Sequence, residues 1–507
     1  MINTSDFYDP YSTIRHIGIN IKFGVIDVLA KNTALPDSSG SVRSPVTSTV
    51  DELYDTFGKY TDLSHNFWNL DGTYSLPPDN PEALDLGWWS TVISDENGIF
   101  SDTIPYVKYT FTQAVSTMGW MLYFDKNANQ YPTELRITVY DESGIAMDVS
   151  TFNVSGSTQA ISAPRANYYS VMFEFLKTNE PCRRVRMIEI DFGLVELMNE
   201  SNVGEAEFRY GVDITGASLP AGEISFTFDN SDKRYNLLDP DGLYEYLQEG
   251  QGISASLVVN SEDIDMGTFY FASATASASV LIPRITGYDI IYALDGAAFR
   301  GGSNTESTLG EAIAAVIGED EIETRFFGDV ASRTVSMAVP GGTSRREAIR
   351  MFAQAAMCNV WTDRWGVINF AELLISDEAS DELTPAELYD FKGVSVAEPV
   401  DGVILEVNNI YTDTEVEYKA GGGMRIQTVS NPCVADSMGQ AGAEWLLARF
   451  NWRKKYAVKN RGNPATEQTD TIMIHDIFGN TGLAIVTGLK ISYNGALSAI
   501  TEASGKK

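Results

Sequence analysis

The segments Ile-Glu-Ile-Asp-Phe (188–192) and Ile-Ser-Phe-Thr-Phe (224–228) alternate large apolar residues with polar ones. Leu-Arg-Ile-Thr-Val-Tyr (135–140) follows the same pattern. A period of two places one set of side chains on the buried face of a strand and the other set toward solvent. Clusters rich in Asp, Asn and Gly, such as 95–98 and 141–144, separate these runs. We therefore predict a mainly β chain built from antiparallel sandwiches or barrels.

Helical signals are few, and they lie in the second half of the chain. A polar residue that can cap a helix, followed three residues later by Glu, is typical of a helix start. Such signals predict helices that start at Thr308 with Glu311, at Ser344 with Glu347, and at Thr384-Pro385 with Glu387. A fourth helix is expected from about Asp436 to Trp452.

The net charge is strongly negative, since 36 Lys and Arg against 69 Asp and Glu give −33. Residues 431–507 hold nine basic and six acidic residues, so this segment is +3 and the remaining 430 residues are −36. An acidic surface repels phosphates, so we expect no sequence-specific nucleic-acid binding. The simpler interpretation is that the acidic residues keep an abundant protein soluble. The alternative is that they form the wall of a channel past which DNA slides.

The cysteines and the N-terminus bear on the compartment in which the chain folds. Cys182, Cys358 and Cys433 form no CxxC pair, so we expect three reduced thiols and folding in a bacterial cytoplasm. The first residues, MINTSDFYDPYS, lack the basic start and apolar run of a signal peptide. No run of about 18 apolar residues occurs, so we expect no membrane span.

Motifs for catalysis are missing from the sequence. The three histidines, His16, His65 and His475, stand apart, and neither GxSxG nor HExxH is present. GxxxxGK[ST] and GxGxxG motifs are missing as well. We therefore predict that the chain is not an enzyme and holds no cofactor or metal. A glycosidase needs only two facing carboxylates, and 69 acidic residues leave that alternative open without indicating a pair.

One segment resembles the start of a calcium loop. Asp125, Asn127 and Asn129 offer oxygen atoms at alternate positions, as such loops do. The glycine and the distal glutamate of the loop are missing, so a hairpin turn is the preferred interpretation.

Aromatic residues give the strongest binding signal. Trp68, Tyr74, Trp88, Trp89 and Trp120 fall within one β-rich block. Aromatic faces can stack on sugar rings, so Trp88, Trp89 and Trp120 are the candidate carbohydrate-binding residues. The alternative is that these side chains fill the core of a large sandwich.

Seven segments, taken in order, resemble hub-type tail proteins of phages that infect Firmicutes and related gut bacteria. Each is a strand or turn pattern of moderate specificity, and together they cover most of the chain. They are HNFWNLDGTYSLPPDN (65–80), GWWSTVISDENGIF (87–100), EPCRRVRMIEIDFG (180–193), EISFTFDNSDKRYNLLDPDGLYEYLQEGQ (223–251), MGTFYFASA (266–274), SRREAIRMFAQAAMCNVWTDRWGVINF (344–370) and RGNPATEQTDTIMIHDIFGNTGLAIVTGLKISYNGALSA (461–499).

The resemblance implies a structural virion protein, the baseplate or tail-tip hub, located in the virion tail and assembled in the host bacterial cytoplasm. It implies a homotrimer with two tube-like β-barrels per subunit, so that three subunits present six barrels to a sixfold tail tube through which DNA is ejected. The implied partners are further copies of the chain, the tail tube or distal tail protein, and tail fibre or tip proteins that serve host attachment. The tape measure protein and a host surface glycan are further candidates.

The resemblance also implies a division into domains. We expect the start of the first hub barrel at 1–50, an inserted jelly-roll-like (galactose-binding-like) sandwich at 51–197, the rest of the first barrel at 198–300, a small α/β domain at 301–375, a mixed α/β connector at 376–430, and a helix plus the second barrel at 431–507.

The chain ends soon after the closing β motif, so we expect peptidoglycan cleavage and host recognition to belong to other proteins. Two alternatives to the hub are kept. One is a carbohydrate-binding module of a tail or cell surface, and the other is a glycosidase.

Overall fold

The computed structural model describes residues 2, 4–5, 8–51, 53–54, 56–61, 72–77, 86–231, 246–276, 283–320 and 322–506. The chain divides into two compact units. Unit 1 comprises Met1–Lys22, Leu197–Asn236 and Gly252–Lys507, and unit 2 comprises Phe23–Glu196 and Leu237–Gln251. Most of the predicted insertion 51–197 therefore falls in unit 2, which begins earlier in the sequence, at Phe23.

Helices make up a minor part of the described residues. The α-helices are α1 (Val28–Thr33), α2 (Ile290–Ala293), α3 (Leu309–Ile317), α4 (Arg345–Ala355) and α5 (Gly439–Phe450). Short 3-10 turns lie at Val46–Val50, Leu294–Gly296 and Val330–Ser332. None of the helices in the described ranges has the length and apolar character needed to span a bilayer.

Strands dominate both units. They are β1 (Ile17–Ile26), β2 (Leu35–Ser38), β3 (Trp88–Trp89), β4 (Tyr106–Phe124), β5 (Pro132–Tyr140), β6 (Ala146–Asn153), β7 (Thr158–Thr178), β8 (Arg186–Asp191), β9 (Gly193–Asn199), β10 (Val203–Gly211), β11 (Glu223–Phe228), β12 (Gly252–Val259), β13 (Glu262–Ala276), β14 (Pro283–Tyr288), β15 (Glu306–Thr308), β16 (Thr324–Phe326), β17 (Thr334–Ser336), β18 (Asn359–Thr362), β19 (Ile368–Ala371), β20 (Asp381–Leu383), β21 (Leu388–Val396), β22 (Gly402–Asn409), β23 (Thr414–Gly421), β24 (Ile426–Ser430), β25 (Lys454–Asn460), β26 (Thr471–His475), β27 (Thr481–Tyr493) and β28 (Leu497–Gly505). The prediction of a mainly β, multi-domain chain is confirmed.

Unit 1 is organised around one long path of hydrogen-bonded strands. The order is β21-β25-β28-β27-β10-β11-β14-β13-β12, and the path ends on the unit 1 parts of β1 and β9. The antiparallel pair β10 and β27 joins strands of the predicted first and second barrels. Phe208 lies opposite Ile491 in this pair, and both side chains are fully buried. The described strands of this path therefore lie in one sheet, in which the two predicted barrels are continuous and not separately closed. Three smaller sheets, β15-β17, β16-β19-β18 and β23-β22-β24, complete the described strands of unit 1.

Unit 2 is a curled sheet with an aromatic core. Its strand order is β3-β8-β4-β7-β5-β6, and β2 pairs with β4. The two longest strands, β4 and β7, pair with register shifts, one of them between Thr117 and Gly119. A Cβ on Gly119 would lie 1.9 Å from the carbonyl oxygen of Ile161, so only glycine permits this close approach.

Four turns share the sequence Asp-x-x-Gly-x, and those at Asp141, Asp363 and Asp476 join the two strands of a hairpin. In each, Oδ1 of the aspartate accepts a hydrogen bond from the amide four residues later, at 2.8–3.1 Å. The glycine takes a positive φ of 76–85°, which glycine adopts without strain. The four turns are Asp95–Ile99, Asp141–Ile145, Asp363–Val367 and Asp476–Asn480.

The structure confirms three of the four predicted helices. Thr308 and Glu311 form a reciprocal capping box at α3, and Oγ of Ser344 accepts from the amide of Glu347 at α4. Helix α5 lies within the predicted 436–452 range.

The third predicted helix is wrong. Thr384 and Glu387 do bond to each other, but they close a single turn that leads into β21. The Gly-Val-Ser-Val sequence that follows favours a strand, and pairing with β25 draws it into the sheet.

The predicted strands at 135–140, 188–192 and 224–228 are present as β5, β8 and β11. For β8, however, the expected solvent face is wrong, because every residue of the strand is buried. Glu189 and Asp191 point into unit 2, where Nζ of Lys31 lies 3.0 Å from Asp191 and 4.0 Å from Glu189.

Candidate functional site

The three candidate sugar-binding tryptophans lie inside unit 2. Trp88, Trp89 and Trp120 each have 0% of their surface exposed. Trp88 stacks on Phe175 with ring centroids 5.7 Å apart, and Trp120 meets Phe173 edge-on at the same distance. Their faces are covered by other side chains, so the alternative of core packing describes this arrangement. Sugar binding at these residues stays a prediction, and it would require the faces to be uncovered.

Trp89 belongs to a buried charged cluster. The guanidinium of Arg186 lies 4.1 Å from the centre of the Trp89 ring, and its Nη1 lies 2.9 Å from Oδ2 of Asp125. Both charged side chains are fully buried. A buried pair with this geometry is costly to break, because either partner alone would be a charge without compensation. The cluster therefore anchors β8 to the hairpin that follows β4.

Asp125 of this cluster is also the first residue of the segment that resembles a calcium loop. Its Oδ1 accepts from the amide of Ala128 at 2.9 Å, while its Oδ2 faces Arg186. The side-chain amide of Asn127 donates to the carbonyl oxygens of Phe57 and Gly58. These groups are engaged in a hairpin turn, which is the preferred interpretation. Among the described residues, no group of three or more His, Cys, Asp or Glu is arranged to hold a metal ion.

The histidines do not form a common site in the part of the chain that the structure describes. His16 is exposed, and its backbone amide donates to Oδ1 of Asn260. Nε2 of His475 lies 2.5 Å from Oε1 of Glu382. His65 lies outside the described residues, as does Trp68.

Asp381 is the centre of a buried polar cluster in unit 1. Its Oδ2 accepts from the hydroxyl of Tyr11 at 3.0 Å, from the amide of Asn463 at 3.1 Å and from the hydroxyl of Thr466 at 2.8 Å. Burial raises the pKa of the Asp381 carboxyl, and burial also raises the pKa of Tyr11. The adjoining cavity measures about 10 Å³, which is the size of one water. The cluster therefore ties residues 8–12 to the C-terminal strands and leaves no room for a substrate.

One cleft in the described part of unit 1 is a concave surface of about 550 Å³. It is lined by strands β1, β9, β12 and β13, with Leu197 68% exposed beside it. Asp263 and Asp265 on β13 and Lys22 on β1 supply its charged groups. Burial raises the pKa of Asp265. Partly apolar walls with a few charges suit the binding of a protein segment. Sequence reasoning missed this cleft, because its lining residues come from four separate segments.

No family model matches the chain, and no curated protein matches it. The chain is similar to the 43 kDa tail protein of prophage MuSo2 from Shewanella oneidensis, with 12% identity, 61% of this chain and 95% of that chain covered, and a TM-score of 0.44. It is similar to the tail protein from Neisseria meningitidis, with 11% identity, 60% of this chain and 92% of that chain covered, and a TM-score of 0.45. It is also similar to a prophage tail protein from Listeria monocytogenes, with 9% identity, 62% of this chain and 92% of that chain covered, and a TM-score of 0.41. Identities and TM-scores this low do not carry a fold or a function over to this chain.

Proposed function

We propose that the chain is a structural protein of a phage tail, the baseplate hub, and that it does not act as an enzyme. Three copies form a ring at the end of the tail tube and connect the tube to tail fibre or tip proteins. The observation that carries the proposal is the long sheet of unit 1, in which β10 of the 198–300 region pairs with β27 of the 431–507 region.

This pairing places two β-rich halves side by side within one copy. Buried apolar residues fill the junction, with Phe208 opposite Ile491 and Tyr210 opposite Leu489. The two halves therefore act as one rigid block. Three copies related by a threefold axis present six such halves, which matches the sixfold tube that the sequence resemblance implies.

The order of the sequence motifs supports the same function. Segments 223–251, 344–370 and 461–499 resemble hub proteins, and they follow one another as they do in that family. The acidic charge of −33 is suited to a protein past which DNA moves without binding. The proposal includes the tape measure protein as a neighbour, the virion tail as the location, and assembly in the host bacterial cytoplasm.

The buried groups described above support a structural function. Asp381 and Asp125 are engaged by neighbouring donors, and the cavity beside Asp381 has the size of one water. None of the contacts given above for the described residues favours a sugar-binding module or a glycosidase over the hub.

The test is native mass spectrometry of the chain purified together with the tail tube protein of the same phage. The expected species has three times the 55.6 kDa mass of the chain, alone and bound to tube protein. A chain that stays monomeric and unbound at every concentration in the presence of the tube protein would contradict the proposal.

A further inference from the structure

Strand β21 forms a free edge of the long sheet of unit 1. It pairs with β25 on one side, and none of the described strands pairs with its other side. The backbone amide of Ala397, just past the strand, donates to the carbonyl oxygen of Arg453 on the β25 side. Backbone groups alternate between the two edges of a strand, so the amides of Val394 and Val396 point to the open side. This edge therefore offers unpaired hydrogen-bonding groups to another extended chain.

The last part of this edge is exposed and largely apolar. Residues 394–397, Val-Ser-Val-Ala, are all exposed, with Val394 at 44% and Val396 at 57%. Free edges are usually blunted by charged side chains, by Pro or by irregular pairing. The irregular pairing of β21 lies between Leu388 and Val394, whereas Val394, Ser395 and Val396 pair in register with β25. Residues 394–397 therefore carry none of the features that prevent the addition of a strand.

The end of the sheet that carries this edge is basic. Strands β21, β25 and β28 belong to the segments 388–398, 453–460 and 497–507. These segments hold seven basic and three acidic residues, so together they are +4, whereas the whole chain is −33. A basic surface on an acidic protein favours an acidic partner.

Three lysines of β25 lack a carboxylate partner within the described part of the chain. Lys454, Lys455 and Lys459 form no ion pair there, and Nζ of Lys455 donates to the hydroxyl of Ser504 at 2.9 Å. The carboxylate of Asp213 attracts Lys455 from beyond ion-pair distance, and it is engaged by two hydroxyl groups of its own loop. The three ammonium groups are therefore available to carboxylates from outside the chain.

A cleft of about 500 Å³ lies beside the same edge. Its lining includes Ser395 on β21, Lys455 and Ala457 on β25, and Ser504 and Glu502 on β28. Adjacent strands lie about 4.8 Å apart, so a strand added beyond β21 would lie roughly 10 Å from β25. The side chain of Ser395, which stands between, is small. A glutamate on the added strand can therefore reach Lys455 across β21.

We propose that the β21 edge binds an extended acidic segment of a partner protein, which adds to the sheet as a further strand. Side chains of a strand point alternately to the two faces of a sheet. The acidic side chains of the segment lie on the face of Ser395 and Lys455, and apolar ones lie beside Val394 and Val396. Main-chain hydrogen bonds supply affinity, and the alternating side chains supply specificity. Binding at this edge does not depend on whether the chain forms a ring.

Phosphate is the other common ligand of a group of lysines. A nucleic acid would leave Val394 and Val396 exposed, and the net charge of −33 would repel it. The exposed valines and the open amides therefore favour a protein strand.

The first experiment measures how a labelled peptide that alternates Glu and Val binds to the full chain, by fluorescence anisotropy. The control peptide has the same residues in two blocks, so it has the same charge but cannot present Glu on one face and Val on the other. We expect the alternating peptide to bind roughly ten-fold more tightly than the block peptide, and to bind less tightly as salt is raised. Equal binding of the two peptides, or binding of neither, would overturn the proposal.

Two variants locate the binding surface. Val396→Pro removes an amide on the open side and leaves the hydrogen bonds to β25 in place, and Val396→Ala, which keeps the amide, is its control. We expect the proline variant to weaken peptide binding roughly ten-fold and the alanine variant to weaken it less than about three-fold. Lys455→Gln should weaken binding at low salt only, whereas Lys419→Gln, which removes the same charge from another sheet, should not. Full binding by both Val396→Pro and Lys455→Gln would show that the peptide binds elsewhere.

Hydrogen exchange followed by mass spectrometry gives a result that does not depend on the folding of a variant. We expect saturating alternating peptide to slow exchange in residues 394–397 of the unmodified chain, because the open amides become hydrogen-bonded. Unchanged exchange there, with the peptide bound, would contradict the addition of a strand.

Two further measurements distinguish the other occupants. A single-stranded oligothymidylate that binds more tightly than the peptide, and whose binding Lys455→Gln weakens and Val396→Pro does not, would assign the surface to nucleic acid. Sedimentation in which the chain self-associates without peptide, and Val396→Pro abolishes the self-association, would assign the edge to a second copy. Either result would overturn the proposal of an acidic partner, and the hub function would be unaffected by both.

Discussion

Strand β8 and the Asp476–Asn480 hairpin depart from the usual distribution of polar and apolar residues in opposite ways. Strand β8 buries three charged residues, Arg186, Glu189 and Asp191, inside unit 2. The hairpin exposes Ile477 and Phe478 on unit 1. Buried charges and exposed apolar patches are the informative exceptions in a folded protein.

The two regions differ in whether contacts within the chain offset the cost of their unusual residues. Arg186 pairs with Asp125 and contacts the Trp89 ring, and Asp191 pairs with Lys31, all within unit 2. The apolar tip remains more than three-quarters exposed in the chain as described. The buried charges are therefore explained by the fold of one chain, whereas the tip keeps its apolar surface exposed on that fold.

The largest effect is expected at the buried ion pair. Asp125→Ala leaves the Arg186 guanidinium buried without its carboxylate, and we expect a loss of about 3–5 kcal/mol in the free energy of unfolding of unit 2. Urea unfolding followed by tryptophan fluorescence measures it. The matched control is Asp148→Ala, which breaks a half-exposed pair with Arg165 and should cost less than about 1 kcal/mol. Equal, small losses in both variants would show that the charges in β8 are not compensated as described.

A similar loss is expected at the aromatic core of unit 2. Trp120→Ala removes a fully buried ring that packs against Phe173 and Tyr168, and it should cost about 3–5 kcal/mol. Unfolding is measured together with binding to a panel of glycans. If the variant kept its stability and lost the binding of a glycan that the unmodified chain binds, Trp120 would be a ligand-binding residue and not a core residue.

The sequence predicts the strands of this molecule better than it predicts which of their residues are buried. Alternation identified β5, β8 and β11, because a pleated strand imposes a period of two on any half-buried face. It did not reveal that Glu189 and Asp191 are buried, since Lys31 reaches them from a helix that no sequence signal predicted.

The candidate binding residues were harder to place. A tryptophan that stacks on a sugar and one that fills a core have the same sequence signal, and only burial separates them. The cleft lined by β1, β9, β12 and β13 joins three distant parts of the chain, near 20–22, 197–199 and 254–265, so neither spacing nor composition could indicate it. The turns at 95–98 and 141–144, by contrast, were predicted from their Asp, Asn and Gly residues, and the structure has turns there.

A buried carboxyl in unit 1 should give a smaller, pH-dependent effect. Burial raises the pKa of Asp289 to about 6, although the amide of Gly222 donates to it at 2.7 Å. The folded protein therefore holds this proton more tightly than the unfolded chain. The stability that this group contributes is full below the unfolded pKa of about 3.9 and falls as the pH rises through about 6.

Asp289→Asn removes the titration and keeps one of the two accepted hydrogen bonds, because the asparagine side chain has a single acceptor oxygen. We expect the variant to lose the part of the pH dependence between about 4 and 6, up to about 3 kcal/mol, in urea unfolding at a series of pH values. An unchanged pH profile would show that Asp289 titrates alike in the folded and unfolded states.

The smallest effect on stability is expected at the exposed tip. Ile477→Ser with Phe478→Ser should change the free energy of unfolding of the dissociated chain by less than about 0.5 kcal/mol, because the side chains pack against little of their own chain. Urea unfolding at low protein concentration measures it. A loss of several kcal/mol would place the tip within the core of its own copy and remove the contrast with β8.

A cryo-electron microscopy reconstruction of the tail tip tests whether this chain forms the hub at the end of a phage tail tube. We expect a threefold ring at the end of the tube, in which the unit 1 sheets of three copies present six β-rich halves to it. Density for this chain confined to a fibre tip, away from the tube, would show that it is not the hub.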